Sequence, residues 1–217
     1  MMKSLFKIFL IIVFSYVLWG CKKNIVIAEI KTTELIALGL DYAIIQVKTN
    51  GSYSFGIYYS ETKLPTISDN RVFFSGDREI IDNLKESTTY YWRAFIRAEG
   101  VIAYSEVQSF TTLTPTLPIV STLETINITY HSAVLRGLIS DIGLPAYTEK
   151  GFYLYTSIDP PIIDTIITVA GNETGYFEKT ATNLTPNTTY YVSAYAINKV
   201  GVVYDKEIKE KFTTAAK

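Results

Sequence analysis

Asn83-Leu84-Lys85-Glu86-Ser87-Thr88-Thr89-Tyr90-Tyr91 recurs as Asn183-Leu184-Thr185-Pro186-Asn187-Thr188-Thr189-Tyr190-Tyr191. The offset is 100 residues, about the length of one β-sandwich domain. The match extends in both directions. Downstream, Tyr104 answers Tyr204, and Phe110-Thr111-Thr112 answers Phe212-Thr213-Thr214. Upstream, Gly56-Ile57-Tyr58 answers Gly151-Phe152-Tyr153, Pro65 answers Pro160, and Ala43-Ile44-Ile45 answers Ala133-Val134-Leu135. The offset changes only across turn-rich stretches such as Ser140-Asp141-Ile142-Gly143-Leu144-Pro145, where insertions do not disturb sheet pairing. Two matched ladders with length changes at turns mean a duplicated domain.

Each copy reads as strands. Tyr42 to Val47, Ser54 to Tyr59, Tyr90 to Ile96, Ala133 to Ile139, Phe152 to Tyr155 and Tyr190 to Ile197 are rich in Tyr, Ile, Val, Phe and Thr. These residues suit a pleated, half-buried surface. Turn signals separate them: Asn50-Gly51, Ser75-Gly76-Asp77, Ala170-Gly171-Asn172 and Asn187. No long stretch after the first 20 residues carries a 3.6-residue apolar stripe, so almost no helix is expected there.

The N-terminus reads as an address. Lys3 and Lys7 precede a run of 12 residues, Ile8 to Trp19, apolar except for Ser15. A bilayer crossing needs roughly 20 residues, whereas a secretory apolar region is shorter. The run ends Leu18-Trp19-Gly20-Cys21, which resembles a bacterial lipobox, with Trp19 where a small residue is usual. The resemblance implies cleavage before Cys21 and a covalent lipid, such as palmitate, on its thiol. Cys21 is the single cysteine, so no intramolecular disulfide can form. The chain from Cys21 onward has 18 basic and 21 acidic residues once Lys3 and Lys7 are removed. That balance is no electrostatic footprint for nucleic acid. The expected layout is a signal peptide over 1–20, a lipidated tether over 21–24, one domain over 25–113, a linker over 114–118 and a second domain over 119–217. The linker, with Pro115 and Pro118, should be semi-rigid. Lys22-Lys23-Asn24 after the cysteine, in place of an acidic run, leans towards the periplasmic side of an outer membrane.

Leu184-x-Pro186-x-Thr188-x-Tyr190 resembles the fibronectin type III signature leading into strand F, and Leu84, Thr88 and Tyr90 repeat it with Glu86 in place of the proline. The wider pattern resembles tandem fibronectin type III-like domains of bacterial envelope lipoproteins. The resemblance implies an all-β chain of two tandem immunoglobulin-like sandwiches. It also implies that Tyr90 and Tyr190 are tyrosine corners, their hydroxyls bonded to backbone a few residues upstream. Alternation then assigns faces. With Tyr90 inward, Trp92, Ala94 and Ile96 follow; in the second copy Tyr190, Val192, Ala194 and Ala196 do so. Tyr58, Tyr91, Phe95, Tyr153, Tyr155, Tyr191 and Tyr195 should point outward from the same sheet.

Those seven aromatics are the candidate binding face, because Tyr couples a large contact area with a polar tip. The alternative is that they are cross-strand pairs that only stabilise the sheet. Little else could carry chemistry. His131 is the single histidine, and a transition-metal site needs further His or Cys partners. No nucleophile elbow, phosphate loop or metalloprotease motif occurs. The five Asn-x-Ser/Thr sequons, at Asn50, Asn127, Asn172, Asn183 and Asn187, read as turn residues. Asp164-Thr165-Ile166 resembles a short bacterial O-glycosylation acceptor. The expectation is therefore a non-enzymatic, membrane-anchored envelope lipoprotein with no cofactor and no metal. It would bind an envelope protein or polysaccharide, or serve as a structural spacer; a hydrolase with an unrecognised site is the third reading.

Overall fold

The computed structural model describes residues 28–217 apart from 52, 99, 160 and 206–209. The expected signal peptide, the lipobox with Trp19 and Cys21, and the tether lie outside the described residues. The chain divides into two compact units between Thr114 and Pro115. No helix occurs among the described residues.

Unit 1 contains β1 (Ile30–Leu38), β2 (Ala43–Thr49), β3 (Ser54–Ser60), β4 (Asn70–Phe73), β5 (Arg78–Ile81), β6 (Thr89–Ala98), β7 (Val101–Tyr104) and β8 (Gln108–Thr111). One sheet has the order β1-β2-β5; the other runs β4-β3-β6-β7, with β8 also paired to β6. Unit 2 repeats the plan with β9 (Ile119–Ile126), β10 (Ser132–Asp141), β11 (Glu149–Ile158), β12 (Pro161–Val169), β13 (Gly175–Thr182), β14 (Thr189–Asn198), β15 (Gly201–Tyr204) and β16 (Glu210–Thr213). Its sheets are β9-β10-β13 and β12-β11-β14-β15, with β16 on β14. All the pairings are antiparallel. Both units are fibronectin type III-like sandwiches.

The alternation read from the sequence builds both cores. In unit 1, Ala43, Ile45 and Val47 of β2 meet Ile57, Tyr90, Trp92, Ala94 and Phe110 from the opposite sheet. In unit 2, Ala133, Leu135 and Ile139 of β10 meet Phe152, Leu154, Tyr190, Val192, Ala194, Ala196 and Phe212. Each large apolar side chain buried this way contributes about 1.5–3 kcal/mol. Among the described residues one charged side chain is buried. Lys150 is buried in unit 2, its ammonium donating to the Tyr147 hydroxyl at 3.1 Å and lying 5.3 Å from the Phe177 ring centre.

The repeated phrase folds as the same clamp twice. Asn83, Ser87, Asn183 and Asn187 all have left-handed φ, between 51° and 59°. The Lys85 and Thr185 amides donate to the hydroxyls of Tyr90 and Tyr190, each at 3.0 Å. The buried hydroxyls of Thr112 and Thr214 accept from the amides of Thr88 and Thr188 at 2.9 Å. They donate to the carbonyls of Lys85 and Thr185 at 2.6 Å. Glu86 in place of Pro186 leaves this network unchanged. Proline fixes φ and removes an N–H, and no hydrogen bond of the clamp uses that N–H.

The linker residues are docked, each end on its own unit. The Leu113 amide donates to the Gly39 carbonyl at 2.9 Å, and Thr116 exchanges backbone bonds with Leu144 at 2.8 and 3.1 Å. Thr116 is thus part of unit 2, held further by Asn198 Nδ2 on its carbonyl at 2.7 Å.

Candidate functional site

The candidate surface is the outer face of the five-stranded sheet in each unit. Register across unit 1 sets out its rows. Phe73 faces Gly56, Gly56 faces Phe95, and Phe95 faces Tyr104. The neighbouring row is Arg71, Tyr58 and Arg93. Because Gly56 has no side chain, Phe95 and Tyr58 close over the gap, stacked with centroids 4.5 Å apart. Phe73 meets Phe95 edge-on at 5.5 Å. Guanidinium groups cover these rings. Arg93 lies 4.0 Å from the Tyr104 ring centre, Arg71 4.8 Å from Phe73, and Arg97 5.6 Å from Phe95. Arg97 Nη2 also donates to the Tyr58 hydroxyl at 3.3 Å.

Unit 2 builds the same lattice without the cations. Gly151 faces Tyr195, which faces Tyr204. The Tyr153 and Tyr195 rings stack at 4.3 Å and 10°. The Tyr195 hydroxyl donates to Glu149 Oε1 at 2.7 Å. Burial pushes that hydroxyl up to about 12, and the Glu149 hydrogen bond and charge act in the same direction, against an opposing hydrogen bond from Thr168. The hydroxyls of Tyr153 and Tyr155 are raised too, first by burial.

These contacts correct the expected binding face. Tyr58, Phe95 and Tyr195 are fully buried, and Tyr155 is buried as well. Tyr91, Tyr153 and Tyr191 are half-buried. The seven residues do leave the sheet on the side away from the core. There, however, Phe95 stacks on Tyr58 beneath the Arg97 head beside the Gly56 gap, and Tyr195 stacks on Tyr153 beside the Gly151 gap with Tyr155 edge-on to Tyr153. The exposed platform for stacking that alternation suggested does not exist at four of the seven positions. Period-2 geometry gives a side chain's direction, but not what its neighbours lay over it.

The other candidate residues take structural places. His131 sits at an exposed turn, its Nδ1 3.3 Å from Thr129 Oγ1 and its ring 4.3 Å from that of Tyr130. Asp164 accepts hydrogen bonds from the amide and hydroxyl of Thr156, at 2.5 and 2.7 Å. Asn127, Asn183 and Asn187 hold left-handed turn positions. Among the described residues, no group of three or more His, Cys, Asp or Glu could hold a metal ion.

Sequence reading missed the arginines. Arg93 and Arg97 stand four residues apart on one strand, hence on one face. Their counterparts in the second copy are Ser193 and Ile197. Subtracting one copy from the other would have exposed them.

The strand order and the corner hydrogen bonds define the class: a protein of tandem fibronectin type III-like sandwiches. Three solved structures share this likeness. The fibronectin type III domain of human fibronectin type III domain containing protein 3 is 17% identical, with a TM-score of 0.32, over 39% of this chain and 84% of that one. The chicken CNTN1 FN1–FN3 domains are 10% identical, with a TM-score of 0.34, over 85% of this chain and 66% of that one. The central fibronectin-III array of RIM-binding protein is 16% identical, with a TM-score of 0.29, over 90% and 71%. No family model and no curated protein matches the chain.

Proposed function

We propose that the chain is a non-enzymatic cell-envelope lipoprotein, anchored by a lipid on Cys21, whose two sandwiches present a surface for protein or polysaccharide. The observation that carries this reading is the outer sheet face of unit 1. It sets cationic heads on a rigid aromatic floor, which is an arrangement for contact rather than for bond-making chemistry. The N-terminal sequence supports the anchor, since several buried methylenes at about 0.8 kcal/mol each would make release negligible. Three experiments test it. Palmitate labelling should be lost in Cys21→Ala, and protease shaving of intact cells should report which membrane face carries the units. Extracted envelope polysaccharide and protein should be retained by the full chain. Failure to retain either would sink the binding role.

A second reading, an assembly subunit, has its own observation. Among the described residues β12 pairs only with β11, and it exposes Ile162, Ile163 and Ile166. A long apolar edge is a template for strand addition. Ile166→Lys on that edge should abolish co-purification of an envelope complex if this reading holds.

A further inference from the structure

Arg71, Arg93 and Arg97 are three of the five arginines in the chain, and all three rise from one sheet face of unit 1. The overall formal charge is −1, so this is a local cationic surface on a nearly neutral protein. Intramolecular ion pairing does not explain it. The ion pairs among the described residues join Lys31 to Glu29 and Lys85 to Glu61; among the described residues none of the three arginines meets a carboxylate. The Nε atoms of Arg93 and Arg97 are buried without a hydrogen-bond partner. Holding the aromatic lattice does not explain it either. Unit 2 keeps its tyrosine stack with Ser193 and Ile197 at the corresponding positions.

An arginine carries five N–H donors; the Arg71 and Arg93 guanidinium groups lie 4.8 and 4.0 Å from the ring centres that restrict their rotamers, and Arg97 commits one Nη2 donor to the Tyr58 hydroxyl. That is a pre-organised receptor for a carboxylate or another oxyanion. The register spaces these receptors. Arg71 and Arg93 flank Tyr58 across three strands, so their backbones stand about 10 Å apart. That interval suits a polymer whose acids recur regularly along its chain. The row crosses the strands. An acidic peptide added along the β4 edge would run parallel to them and meet only one member of the row. Beside Arg97 lies an open cleft of about 380 Å³, bordered by Ile67, Ala98, Gly100, Val101 and Ile102.

We propose that this face of unit 1 binds an oxyanion-bearing polysaccharide, uronate or sulfate ester, through Arg71, Arg93 and Arg97. The proposal rests on the reading of the chain as a binding module and names its ligand class.

The test measures binding of the detergent-solubilised full chain to polygalacturonate, dextran sulfate, neutral dextran and poly-glutamate. Polygalacturonate, dextran sulfate or both should bind, with affinity falling as salt screens the charges, and dextran should not. Preference for the first marks a uronate, and for the second a sulfate ester. Arg93→Gln with Arg97→Gln should weaken binding about tenfold or more, and Lys211→Gln in unit 2 should leave it unchanged. Arg71 is exposed on an edge strand, so Arg71→Gln gives a variant whose folding is not in question; it should weaken binding alone. Failure to bind either anionic glycan, or equal binding by the arginine variants, overturns the inference. So does tighter binding to poly-glutamate, which would assign the face to acidic protein segments. Retention of envelope material by the wild-type chain is read separately, so the ligand class can fail while the binding-module reading stands.

Discussion

The Tyr195 ring lies against Gly151, its Cε1 only 2.9 Å from where a Cβ on that glycine would stand. Phe95 stands in the same relation to Gly56, at 3.1 Å. In both places the carbonyl of the next strand, Ile167 or Val72, is closer still, at 2.1 Å. Backbone cannot yield as a side-chain tip can. Gly151→Ala and Gly56→Ala should therefore separate the edge strand and tilt the ring, destabilising the affected unit by about 1–3 kcal/mol. Chemical denaturation of each variant, followed by near-UV circular dichroism of the tyrosine stack, checks this. Unchanged stability with an unchanged spectrum would mean that the glycine gap does not hold the lattice.

Alkaline pH should loosen unit 2. The folded state holds the Tyr195 hydroxyl up to about 12, whereas a free tyrosine titrates near 10. A raised pKa means that the folded state binds the proton more tightly than the unfolded one. The stabilisation is then fully present below about pH 10 and is lost as pH rises through about 12. Denaturation midpoints between those limits should fall in the wild type and fall less in Tyr195→Phe. Tyrosinate absorbance should show one fewer late-titrating group in that variant. Equal slopes in the two proteins would count against Tyr195 as the source.

Thr112 and Thr214 are each 2% exposed, and each hydroxyl ties the turn before β6 or β14 to the residue that follows β8 or β16. Thr112→Val or Thr214→Val keeps the shape and removes the hydroxyl, leaving the Thr88 or Thr188 amide without its acceptor. A buried group left unsatisfied costs about 1–3 kcal/mol. Serine at either position keeps the hydroxyl and should lose less. The comparison is made by urea denaturation of the full chain, and valine as stable as serine would contradict it.

These clamps also show which parts of the molecule sequence could disclose. The duplicated phrase was legible because its residues act through local geometry. Asn at a left-handed turn, Thr as a turn acceptor and Tyr five residues beyond an amide are fixed by chain distance, so each copy repeats them. The inward set was legible for the same reason, since alternation depends on the strand alone. The outer face was not. Whether Tyr58 is bare or covered depends on Arg97, 39 residues away, and on a glycine that lets Phe95 lean inward. No period in the sequence encodes those neighbours. Buried Lys150 was equally hidden, because its counterpart at the 95-residue offset is Phe55, and the Tyr147 hydroxyl and the Phe177 ring make the exchange tolerable.

The same comparison between copies singles out Ser87. It holds φ 51°, as does Asn187 in the second copy. Asparagine enters the left-handed region readily, whereas most L residues lose roughly 1–2 kcal/mol there. Ser87 is exposed, and its hydroxyl donates only to Thr114 Oγ1 at 3.1 Å, a bond that solvent replaces easily. Its amide bond to the Leu113 carbonyl, at 3.1 Å, is unaffected by substitution. Ser87→Asn should therefore stabilise unit 1 by up to about 1 kcal/mol, and Ser87→Gly by less, because glycine also loosens the unfolded chain. Ser87→Val, β-branched at the same φ, should destabilise it. A calorimetric scan of the three variants orders them directly, and a valine variant as stable as the asparagine one would show that the turn relaxes out of the left-handed conformation.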